Sequence, residues 1–191
     1  MSIKRKLLLT LFLAASIGSV NADEMNAGVV HFTGEIIDPT CVIDGNDGKD
    51  NNVPLGTYPS SLFQNPGDES SLIPFTISLK DCPVQSTGLI NIQLTFEGTT
   101  VPTSNADLLA VSTITTGGTT AATNVGIAVS SINAITTLIK MDGSEDQLLV
   151  RLPTISGDAV SADLVARYRA VAVPVTAGPA DADMTVNILY R

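Results

Sequence analysis

The side chains able to do chemistry are few and badly placed to do it together. His31 is the single histidine of the chain, which excludes zinc or copper sites built from several imidazoles. Any Ser-His or Cys-His pairing would have to use it. It lies in an extended apolar segment, and no G-x-S-x-G or S-x-x-K nucleophile motif occurs. Asp44-x-Asn46-x-Gly48-x-Asp50 has the look of a calcium loop, but Lys49 stands where an EF-hand needs Gly and Leu55 where it needs a bidentate Glu. It reads as a solvated acidic turn. The other carboxylates are scattered over loops, with no spacing that pairs two of them for acid–base work. The residues therefore point to no enzyme and to no cofactor or metal.

Cys41 and Cys82 are the remaining reactive groups, and what they do depends on compartment. Residues 1–22 answer that. Lys4-Arg5-Lys6 is a positive start, Leu7 to Ile17 an apolar run, and Val20-Asn21-Ala22 a small-residue cleavage site. The run is too short to span a bilayer, which takes about 20 apolar residues, and no later transmembrane candidate follows. This is the pattern of a secretory signal peptide ending at Ala22. In an exported chain two thiols become one disulfide rather than two free thiols. Closing a loop of about forty residues stabilises a fold by about 4 kcal/mol in the chain-entropy account. Without the leader, seven basic residues face nineteen acidic ones, a formal charge near −12. Such a surface repels phosphate backbones, so nucleic acid is excluded as a partner.

The elements that carry these residues are strands. Apolar side chains alternate with polar ones at Ile73, Phe75, Ile77 and Leu79; at Ile90, Ile92, Leu94 and Phe96; and at Val125, Ile127 and Val129. The alternation returns at Leu148, Val150 and Leu152; at Leu164, Ala166, Tyr168 and Ala170; and at Met184, Val186, Ile188 and Tyr190. One apolar face per strand is what two packed antiparallel sheets require, and no long helical pattern follows the leader. The expected fold is an all-β sandwich. Asn65-Pro66-Gly67-Asp68 and Asp142-Gly143 read as turns, and the Thr/Ala/Gly-rich stretch 112–123 as a long surface loop or loose hairpin. Ahead of Cys41 lies an extended stretch with Gly28, Val30 and Phe32 on one face and Ala27, Val29 and His31 on the other. It reads equally as a first strand or as a free extension that adds itself to another molecule's sheet edge.

Several segments together resemble one family. Gly28-Val-Val-His-Phe-Thr-Gly-Glu-Ile-Ile-Asp-Pro-Thr-Cys41 is similar to the start of a type 1 fimbrial subunit of the chaperone–usher class. Val53-Pro-Leu-Gly56, Phe75-x-Ile-x-Leu-x-Asp-Cys82, Asn124-Val-Gly-Ile127, Ala166-Arg-Tyr168 and the penultimate Tyr190 follow in the family's order. The resemblance spans the mature chain. It implies an incomplete immunoglobulin-like sandwich that lacks its last strand, with a pilin domain over 35–191 and an N-terminal donor-strand extension over 23–34. It implies polymerisation by donor-strand exchange with other copies or related subunits, after a periplasmic chaperone delivers the chain to an outer-membrane usher. Export through the periplasm into a surface fimbria, in support of cell adhesion, goes with it. Gly28, Val30 and Phe32 match alternate donor positions, and Cys41 and Cys82 the family's disulfide. Met184, Val186, Ile188, Tyr190 and Arg191 match the groove strand and C-terminus that the chaperone holds. Arg191 departs from the family, many of whose members end in a neutral residue. The competing expectation, a secreted single-domain carbohydrate-binding sandwich, is weakened by 4% aromatic content and the absence of Trp to stack on sugar.

Overall fold

The structure is a computed structural model that describes residues 29–34, 36–38, 40–44, 52–103, 106–114, 116–118 and 120–190. The segment 1–22 expected to be a signal peptide, Gly28 and Arg191 lie outside the described residues. The chain divides into two units, Met1–Ile36 and Ile37–Arg191. In the first, the described residues adopt no regular secondary structure, and Val29, Val30, Phe32 and Ile36 are exposed.

Among the described residues of the second unit, the regular structure is β apart from one 3-10 turn at Ser60–Leu62. Its strands are β1 (Val42–Ile43), β2 (Ile73–Lys80), β3 (Asn91–Glu97), β4 (Leu109–Ala110), β5 (Val125–Ser131), β6 (Leu148–Arg151), β7 (Val160–Ala170) and β8 (Thr185–Tyr190). They form a five-stranded sheet in the order β1-β2-β7-β5-β4 and a three-stranded sheet in the order β6-β3-β8, with every pairing antiparallel. The six alternating segments of the sequence are the six longer strands. Met184 sits just ahead of β8, and Ile90 just ahead of β3. Asp142-Gly143 is not a hairpin turn. Asp142 bridges Glu97, and the Gly143 N–H donates to the Phe96 carbonyl, so the dipeptide pairs with the last residues of β3.

The core lies between the sheets. Leu79, Ile92, Leu94, Phe96 and Leu164 are completely buried, with Ile77, Val129, Met141, Val150 and Leu152 around them. Cross-strand pairing stacks like on like: Ile92 faces Tyr190, Leu94 faces Ile188 and Phe96 faces Val186. Two glycines permit backbone approaches that any Cβ would block. A Cβ on Gly126 would stand 2.9 Å from the Leu109 carbonyl, where β4 meets β5. One on Gly178 would stand 2.7 Å from the Ala122 nitrogen, where the loop before β8 crosses the 112–123 segment.

Candidate assembly edge

β3 and β8 differ because of their positions in the sheet. β3 is flanked on both sides, and residues 92–96 are buried on both faces. β8 pairs with β3 alone, and among the described residues no strand pairs with its other edge. Its side chains stop at half burial from Val186 to Tyr190. Met184, Val186, Ile188 and Tyr190 all pack against the core cluster without being enclosed by it. An edge of this kind presents free backbone donors and acceptors beside apolar side chains, and it pairs with whatever extended chain reaches it.

The end of β8 is pinned. The Cys41 N–H donates to the Tyr190 hydroxyl at 2.9 Å, across 149 residues of sequence. Cys41 is in turn bonded to Cys82, closing the disulfide at the end of the β1–β2 ladder, where Val42 faces Lys80. Thr40 reinforces the junction through a hydroxyl bond to the Asp81 carbonyl. The start of β8 is held from the opposite end of the sandwich. Ser112 and Asp181 exchange backbone hydrogen bonds, and the Asp181 carboxylate accepts from the Thr116 N–H at 2.6 Å and the Thr116 hydroxyl at 2.7 Å. The Tyr168 hydroxyl donates to the Ala180 carbonyl at 3.1 Å. Burial raises the pKa of that phenol, with the Asp181 charge adding to the effect.

The structure thus joins the sequence-predicted residues Cys41, Cys82 and Tyr190 at one end of the sandwich and lines up Met184, Val186 and Ile188 along the same edge. The bond from Cys41 to Tyr190 has no signal in the sequence, because no local pattern links residues so far apart. Val30 and Phe32 are exposed. Among the described residues no group of three or more His, Cys, Asp or Glu could hold a metal.

Comparison with known proteins decides what the edge belongs to. The sequence profile described as "Fimbrial protein" matches residues 30–191. This chain belongs to the fimbrial protein family. The fimbrial subunit is 40% identical to a type-1 fimbrial protein subunit of Serratia marcescens, over 98% of this chain and 99% of that one. In fold it is similar to the P pilus rod subunit PapA, with a TM-score of 0.60 over 80% of this chain and 99% of that one at 21% identity. It is similar as well to a chain in the structure of a chaperone–usher pilus, with a TM-score of 0.59 over 87% and 96% at 23% identity. The architecture is the immunoglobulin-like sandwich of pilus subunits, and the subunit is a component of surface fimbriae.

Proposed function

We propose that this fimbrial subunit polymerises by donor-strand exchange. The free edge of β8 accepts the 23–34 extension of another copy or of a related subunit, after a periplasmic chaperone has held that edge and brought the chain to an outer-membrane usher. The resulting fibre supports cell adhesion. The observation that carries this reading is the pairing of β8 with β3 alone, beside apolar side chains only half covered. A strand laid on that edge completes the sheet and the burial together. The extension supplies what such a site takes. Val30 and Phe32 alternate on one face and are exposed, and full burial of each is worth roughly 1.5–3 kcal/mol. Gly28, two residues earlier on the same face by sequence, suits a pocket without depth.

The test mixes purified chaperone–subunit complexes and follows polymers on a gel. Wild-type subunit is expected to give a ladder. Phe32→Asp and Gly28→Arg, which place charge in the groove, are expected to stop polymer growth while the chaperone complex still forms, because there the extension is unused. Ladders from both variants equal to wild type would overturn the donor assignment.

A further inference from the structure

The outer face of the five-stranded sheet holds a feature that core packing does not require. Arg167 points away from the core, yet it is only 3% exposed. Its Nη1 donates to the Ser130 hydroxyl and its Nη2 to the Ile135 carbonyl, both at 3.1 Å. Its Nε stands 2.7 Å from a Glu69 carboxylate oxygen as an ion pair, but the N–H direction misses the acceptor, so this donor makes no aligned hydrogen bond. Arg169 reaches the other oxygen of Glu69 at 3.0 Å. These three side chains line an open pocket of about 370 Å³ with Gly67, Thr136 and the exposed apolar Leu72 and Ile135. Two guanidiniums against one carboxylate leave the pocket with one net positive charge. In a chain with seven basic and nineteen acidic residues beyond its leader, two of the seven meet here.

We propose that this pocket receives the acidic turn 142–146 of a second copy, as a contact between subunits in addition to the donor strand; it rests on the polymer reading above. The turn carries Asp142, Glu145 and Asp146, all exposed, next to Glu97 at the end of β3. No other five-residue stretch of the described chain carries three carboxylates. Hydrogen bonds from the Ser144 hydroxyl and N–H lower the Asp142 pKa, which keeps it ionised. A polymer of strongly acidic subunits repels itself wherever like surfaces meet, and a cationic pocket is the complement that turns one such meeting into attraction. Leu72 and Ile135 exclude water around the pair. Pocket and turn are different patches, so the contact is heterologous and repeats along a filament without closing.

The test places a photo-crosslinking benzoylphenylalanine at Thr136, on the exposed rim, in assembled fibres, and maps the products by mass spectrometry. Crosslinks to residues 142–146 of another copy are expected. Arg169→Glu and Glu145→Arg should each lower their yield about tenfold, and the double variant should restore it. Glu145→Arg leaves the pocket untouched, and restoration by the swapped pair cannot come from misfolding. A normal gel ladder with crosslinks absent, elsewhere in the chain, on a different protein, or unchanged by either reversal overturns the contact and leaves donor-strand exchange standing. Failure of the double variant to recover also counts against it. Absence of any ladder from wild-type subunit overturns the polymer reading, and this contact with it.

Discussion

Tyr190 accepts a hydrogen bond from the Cys41 backbone in a half-buried setting, so its hydroxyl has a use that its ring does not explain. Tyr190→Phe keeps the packing and leaves a backbone donor without its partner, a change of about 1 kcal/mol. The expected readout is about fivefold faster hydrogen exchange at the Cys41 amide, with amides at the middle of β3 unchanged. Tyr168 gives a pH dependence. Its phenol is held neutral above the usual range, first by burial and then by Asp181 and Tyr58. The unfolded phenol ionises near pH 10, so the stabilisation is complete below that pH and is lost as pH rises through the higher folded value. Alkaline unfolding should therefore flatten in Tyr168→Phe, at the cost of the bond to Ala180.

Strand alternation makes most elements legible in the sequence, because period two is enforced wherever a strand has one face on the core. Ile73–Lys80 and Val160–Ala170 show it plainly. β1 and β4 escape because two residues carry no period. Gln93 and Thr95 read as a polar, outward face and are nonetheless buried; a strand flanked on both sides loses exposure to its neighbours' side chains, which no local pattern records. Arg167 escapes in the same way, since its alternation places it outward, where Glu69 and the 131–138 loop, folded back from the end of β5, lie against it. The edge role of β8 is a matter of topology, and only the resemblance to a family anticipates it. Two substitutions test the elements. Phe96→Ala removes a completely buried ring from the central strand and should cost about 3–5 kcal/mol, seen as a lower denaturant midpoint. Gly178→Ala puts a methyl into the Ala122 and Thr120 backbone and should cost about 1–3 kcal/mol, with exchange faster in residues 120–123 and little changed in β3.

At the scale of the whole molecule, the disulfide ties Cys41 to Cys82 across a separation of 41 residues. Replacing both (Cys41→Ala with Cys82→Ala) should lower stability by about 4 kcal/mol, measured by urea unfolding of the otherwise identical mature chain. The order of the strands along the chain has a further consequence in time. β3 occupies the middle of its sheet, but the partner that covers it begins at Thr185. A chain that leaves the cytoplasm N-terminus first delivers β3 long before β8, and pairings so distant in sequence form late and slowly. Until the last strand arrives, Ile92, Leu94 and Phe96 wait beside an open edge, and the Cys41 amide waits for a hydroxyl 149 residues behind it. The closing step of folding is thus set by the tail of the chain, so a subunit cut short at Asp183 would have every core residue of β3 in place and nothing to seal them.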